Sequence, residues 1–103
     1  MMKVVYKYPV DITYPRLVVP TGAQLLSAVE QNGEIVIYAL VDIREKHDTY
    51  IIPDVTYNIL VLGTGHEVAR WKLDSYTFLD TVKMNDGVLM FHVFYKEVVW
   101  CSL

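Results

Sequence analysis

The segment Gly63-Thr64-Gly65-His66, directly after the apolar run Ile59-Leu60-Val61-Leu62, has the residue types and spacing best suited to chemistry. Glycines on either side of a threonine permit a tightly curved backbone that aims several N–H groups at an anion. Thr64 and His66 would add side-chain donors. The segment lacks the third glycine of a dinucleotide fingerprint and the Lys-Ser/Thr pair of a phosphate-binding P-loop. The same residues therefore also suit a tight turn in which His66 caps a neighbouring carbonyl.

His92 is the second histidine of interest, and with His66 and Asp42 or Asp80 it could bind a metal or exchange protons. The spacing offers no third histidine, because His47 lies in the charged run Arg44-Glu45-Lys46-His47-Asp48. No metal and no cofactor is assigned, and the two histidines are expected to be hydrogen-bonded separately. Tyr38, Trp71 and Tyr76 have the rings to stack on a base or sugar, although such rings also fill cores and interfaces. The candidate ligand-binding set is Gly63, Thr64, Gly65, His66, His92, Tyr38 and Trp71.

No catalytic residue is assigned. The chain has no Gly-x-Ser-x-Gly turn and no helical His-Glu-x-x-His. A catalytic thiol at the lone Cys101, so near the last residue, would be hard to shield. A single cysteine also forms no intrachain disulfide, which suits a reducing cytoplasm.

The elements that must position these residues are strands. Asn32-Gly33 separates Leu25–Gln31 from Glu34–Asp42, and Asp86-Gly87 separates Leu79–Asn85 from Val88–Tyr95. Both dipeptides accept the positive φ angles of a type I′ hairpin turn. A two-residue turn in the first hairpin places Val29 opposite Val36, Ala28 opposite Ile37, Ser27 opposite Tyr38 and Leu26 opposite Ala39. Apolar residues on both faces of Ile35–Val41 predict a central strand, with the core on one side and a second layer or subunit on the other.

In the second hairpin the same register aligns Val82 with Phe91, Met84 with Leu89 and Phe78 with Tyr95 on the core face. Asp80 joins them opposite Val93. Leu79–Phe94, Thr81–His92 and Lys83–Met90 then form the outer face.

Lys3–Val10 reads as a strand with Val4, Tyr6 and Tyr8 on one side, which Pro9 either ends or marks as an edge. Arg16–Val19 reads as a short strand, and Pro20-Thr21-Gly22-Ala23 as a tight turn. Ile43–Asp54 is expected to protrude as a loop. Glu67–Tyr76 is expected to hold a short helix with Val68, Trp71 and Leu73 on its apolar side.

These 103 residues suffice for one domain, and 53% of them are hydrophobic against 20% charged. That is more apolar surface than one small core covers, which predicts a homo-oligomer. The longest unbroken apolar run, Ile35–Val41, is far short of the roughly 18–20 residues that span a bilayer as a helix, so no membrane is expected. The amino-terminal residues do not resemble a signal peptide. A net charge of −3 argues against a nucleic-acid polymer as partner. Lys3 and Lys7 share a strand face, and a basic stripe would need Lys83, Lys96 and Arg70 beside them.

Several segments resemble a family of short uncharacterised proteins encoded by bacteriophages and bacteria. They are Pro20-Thr21-Gly22-Ala23 followed by Leu26-Ser27, Gln31-Asn32-Gly33, Tyr38-Ala39-Leu40-Val41-Asp42, Gly63-Thr64-Gly65-His66, and Phe78-Leu79 with Gly87-Val88-Leu89-Met90-Phe91-His92-Val93-Phe94. Ile43–Tyr57 and Glu67–Tyr76 depart from the pattern. The resemblance implies no established activity. It implies a phage or prophage origin, and with it a role in virion assembly or in countering host defence.

The expected fold is all-β, a small antiparallel β-sandwich or barrel of about six to eight strands with one short helix near Trp71. The expected function is a non-enzymatic phage accessory protein that counters host immunity by sequestering a small anionic, nucleotide-derived ligand. The alternatives are a module that binds a host protein or virion component through Tyr50-Ile51-Ile52-Pro53, and a small nucleotide hydrolase or lyase.

Overall fold

The computed structural model describes residues 2–99, so Cys101 lies outside the described residues. Seven strands form two antiparallel sheets. They are β1 (Met2–Val10), β2 (Arg16–Pro20), β3 (Gln24–Gln31), β4 (Glu34–Ile43), β5 (Asp54–Gly63), β6 (Thr77–Met84) and β7 (Leu89–Glu97). One sheet runs β1-β4-β3 and the other β2-β5-β7-β6. The extents of 49 × 39 × 19 Å are those of a slab two sheets thick.

Both hairpins turn where their dipeptides predict. Asn32 and Gly33 have φ of 54° and 82°, and Asp86 and Gly87 have 56° and 87°, the paired positive values of a type I′ turn. Pro20–Ala23 turns as expected, with Ala23 N donating to Pro20 O. Residues 44–53 form the loop between β4 and β5.

β4 is central, and Ile35, Ile37, Ala39 and Val41 are buried along one of its faces. Ile35 and Ile37 meet Leu17, Val19, Ile59, Val82 and Val93 in the core between the sheets. Among the described residues no further layer covers the other face. Val36 is buried there between its strand neighbours Pro9 and Val29, while Tyr38 and Leu40 are half-buried.

Two register expectations are corrected by β-bulges. In the first hairpin Leu25, not Leu26, lies opposite Ala39. The bulge turns Leu26 outward and leaves Leu25 packed on the core. In the second hairpin Phe78 pairs with Phe94 and Thr77 with Tyr95, and Leu79 is the extra residue. A bulge sets two residues against one and reverses the alternation beyond it. Leu79 therefore packs on the core, while Phe78 is 53% exposed and meets Phe94 edge-on, with ring centroids 5.4 Å apart.

The two bulges stand near the corner where β3 approaches β6. Asp80 projects from the core face there, as its register predicts, and its Oδ2 accepts a hydrogen bond from Ala28 N at 3.1 Å. Its Oδ1 accepts from Thr81 N at 2.8 Å. The opposite side of the slab is joined by the β1–β2 loop, where Pro15 O accepts from Ile59 N at 2.8 Å.

A short helix α1 (Arg70–Leu73) follows β5 and buries no residue. Trp71 is 79% exposed, so it is not part of a packed apolar side. No basic stripe is assembled: Lys3 and Lys7 lie on the outer face of one sheet, whereas Lys83 and Lys96 belong to the strands of the other. No helix among the described residues is long and apolar enough to cross a membrane.

Candidate functional site

β5 runs out at Gly63, and the loop that follows is pinned by three backbone interactions. Thr64 N donates to Met90 O at 3.3 Å, His66 N donates to Gly63 O at 3.1 Å, and Gly63 N donates to His66 Nδ1 at 3.1 Å. An anion-cradling loop needs several free N–H groups, and three of these four are engaged within the protein. Gly65 N–H has no partner among the described residues. Gly65 also has φ of 88°, which suits glycine.

His66 does not cap a carbonyl. Its Nδ1 accepts from a backbone N–H, so the neutral ring carries its proton on Nε2. The side chain is exposed and Nε2 has no protein partner among the described residues. The ring packs so closely on Gly63 that a Cβ there would stand 2.9 Å from His66 Cε1. The loop thus leaves two donors without a partner among the described residues, Gly65 N–H and His66 Nε2–H.

His92 projects from β7 away from the core, as expected, and braces the loop from below. Its Nε2 lies 2.9 Å from Thr64 Oγ1 and its Nδ1 3.0 Å from Thr81 Oγ1. Both ring nitrogens are therefore occupied by hydroxyls. His66 and His92 hydrogen-bond separately. Neither aspartate joins them: Asp42 is paired with Lys3 at 2.8 Å, and Asp80 faces Ala28. No group of three or more His, Cys, Asp or Glu side chains suited to a metal is found among the described residues.

Two concavities open at this end of the slab. The smaller, about 210 Å³, is lined by Gly63, Thr64 and His66 from the loop and by Val88, Leu89, Met90 and Phe91 from the start of β7. The larger is a groove of about 910 Å³ that runs in between the sheets, with Val10, Ile12, Ile35, Ile59, Val61 and Met84 among its walls. Leu89 and Phe91 line both, so Thr64 and His66, which line the smaller, stand near the edge of an apolar groove. Its volume falls in the range of sites for small organic ligands, and its mostly apolar lining is typical of them.

The remaining candidates are not gathered here. Tyr38 lies on the outer face of the other sheet, where its hydroxyl accepts from Gln31 Nε2 at 2.6 Å. Trp71 lines neither concavity. The sequence reading missed the groove walls. Their only sequence signal is the apolar content of Leu89–Phe91 and Ile59–Val61, which a core strand shows equally.

No curated protein and no solved structure matches the chain. A family described as a domain of unknown function matches residues 1–99. With nearly its whole length covered, this chain belongs to that family, DUF7352.

Proposed function

We propose that this protein is a non-enzymatic binding domain that sequesters a small amphiphilic ligand, nucleotide-derived in chemistry, at the loop end of its sandwich. The polar head of the ligand meets His66 Nε2–H in the smaller concavity, and Gly65 N–H belongs to the same turn. Its flat or apolar body enters the groove past Leu89 and Phe91. The observation that carries this reading is the junction of the two concavities at those two residues. Among the described residues no carboxylate lines the smaller concavity, so an anionic head meets donors without a repelling charge from them.

The biological setting rests on the resemblance to short phage-encoded proteins. In that setting the protein withholds a nucleotide signal from host immunity, and it does so as a homo-oligomer. Its exposed Phe78, Leu26 and Val18 are the apolar surplus that favours association.

Calorimetric titration with cyclic dinucleotides and ADP-ribose isomers tests the proposal. Saturable heat that is lost in His66→Ala and in Leu89→Trp supports it. The absence of heat with every member, together with an unaltered infection phenotype for His66→Ala, removes it.

A second reading is favoured by the β4–β5 loop, where Tyr50 and Ile51 are both exposed. It is a module that grips a host protein or virion component. Affinity capture from infected cells with Tyr50→Ser/Ile51→Ser as control separates the two, because those substitutions leave the groove intact.

A further inference from the structure

We propose that the free edge of β1 is a self-association surface, on which β1 of a second copy of this chain pairs antiparallel about a two-fold axis at Tyr6. The inference deepens the homo-oligomer reading by naming its surface, and it draws nothing from the groove.

The backbone groups that β1 leaves free follow from the far edge of its sheet. Ala28 stands opposite Ile37, yet its N–H points away from β4 and donates to Asp80 Oδ2. That makes Ala28–Ile37 a non-hydrogen-bonded pair, so Ile37 turns its own N–H and C=O to β1. Alternation along β4 gives Ala39 and Val41 the same direction, and the partners of these three residues, Tyr8, Tyr6 and Val4, face β4 in return. Lys3, Val5, Lys7 and Pro9 therefore point their backbone groups off the sheet, and none of those groups bonds to another described strand or loop. Pro9, which has no N–H, belongs to this outward set, where it costs the β1–β4 ladder nothing.

Exposed edges are commonly blunted by bulges or guarding lysines, and β1 is neither bulged nor guarded. It runs nine residues against β4 without a break in register. Its lysines lean back across their own sheet, Lys3 Nζ to Asp42 at 2.8 Å and Lys7 Nζ to Gln31 Oε1 at 3.4 Å. Tyr6 shares the inward face with its fully buried partner Ala39, yet it is 47% exposed. The second sheet leaves that ring uncovered, and Val5 on the outer face is exposed as well.

The side chains select the register. Near the middle of β1 a two-fold pairing of the outward groups has its axis at Val4, Val5, Tyr6 or Lys7. At Val5 the axis sets Lys3 against the partner's Lys7, and at Lys7 it sets that lysine against its own copy. Like charges directly opposite destabilise a strand pair. At Val4, Lys3 and Val5 alone find partners among the described residues. With the axis at Tyr6, Val5 exchanges both backbone bonds with the partner's Lys7, and Lys3 N–H donates to the partner's Pro9 C=O, leaving Lys3 C=O to solvent. The two Tyr6 rings then meet at a non-hydrogen-bonded position, where side chains stand closest, flanked on the same face by Val4 and the partner's Tyr8.

Sedimentation over a concentration series reads the association, and cysteine cross-linking in a Cys101→Ser background reads the register. The parent is expected to dimerise. Val5→Pro removes an outward N–H that β4 does not use and should weaken the dimer by at least about tenfold. In a glutathione redox buffer, Tyr6→Cys should form a disulfide-linked dimer and Val5→Cys should not.

Cross-linking of Val5→Cys as readily as Tyr6→Cys, or of neither, overturns the inference. A dimer of unchanged affinity in Val5→Pro also overturns it, and leaves the homo-oligomer reading to another surface. Should Val5→Pro fail to fold, the two cysteine variants decide alone. A parent that stays monomeric throughout the series removes the inference and the homo-oligomer reading together.

Discussion

Asp80 and Ala28, far apart in sequence, join the two sheets at one corner: the carboxylate of β6 accepts the outward N–H of the edge strand β3 at 3.1 Å. The bond does two things. It satisfies a backbone donor that β3 would otherwise expose at the rim of the core, and it closes the side of the sandwich opposite the β1–β2 loop.

Removing this acceptor should therefore loosen the whole fold. Asp80→Ala strands the N–H groups of Ala28 and Thr81 and is expected to cost about 1–3 kcal/mol. Asp80→Asn keeps an acceptor oxygen and should cost less. Urea unfolding midpoints of the two variants against the parent check the order, and an Asp80→Ala midpoint equal to the parent's would show that water replaces the carboxylate at no cost.

The location of that corner explains which parts of the fold the residues disclosed. Asn32-Gly33 and Asp86-Gly87 are local signals, since only a few residue types accept two successive positive φ angles, and both hairpins follow from them. The bulges at Leu26 and Leu79 carry no such mark. They answer to the approach of β3 and β6, a contact between distant segments, so simple pairing put Phe78 in the core and Leu26 opposite Ala39.

The candidate site divides in the same way. Gly63–His66 was legible as a turn because of its glycines. That Thr64 N is held by Met90 O depends on β5 pairing with β7 rather than with its sequence neighbour β6. Tyr38 could be assigned to a face by alternation, but only the stacking of the sheets decides that this face looks away from the loop.

Gly63 has a tighter constraint than the flanking loop. A methyl group at its Cα would meet His66 Cε1 at 2.9 Å and Nδ1 at 3.1 Å. The obstructing atoms belong to an exposed side chain, so the ring should swing aside at little cost in stability. Gly63→Ala is expected to unfold within about 1 kcal/mol of the parent while the His66 ring signals move and the residue 63 amide exchanges faster. Undisturbed His66 resonances would mean that the Gly63–His66 contact is not formed in solution.

Thr64 and Thr81 have no direct hydrogen bond to each other, yet both bind the His92 ring, at 2.9 and 3.0 Å. One ring nitrogen donates and the other accepts, so losing one hydroxyl alters what the remaining one can do. Thr64→Val and Thr81→Val should each cost about 0.5–1.5 kcal/mol. Their double variant should depart from additivity by at least about 0.5 kcal/mol, as expected of residues in one network. Additive losses in denaturant unfolding would show that the two hydroxyls act independently of the histidine.

Alkaline stability should report on the tyrosines that line the core. Tyr57 has its phenol raised above the ordinary value of 10.0, first by desolvation and then by the nearby Glu97 and Tyr95. Tyr8 is raised by desolvation, with Tyr6 and Asp54 adding to it. A raised folded value means that the neutral phenol is the form the fold prefers. The associated stability is complete below the unfolded value and is lost as pH climbs through the folded one. Unfolding midpoints should thus be insensitive to these groups at neutral pH and fall above about pH 10. Tyr57→Phe cannot ionise and keeps the ring that stands edge-on to Tyr95 at 5.7 Å, so its midpoint should fall less steeply over the same range. Parallel declines for the parent and Tyr57→Phe would assign the alkaline transition to other groups.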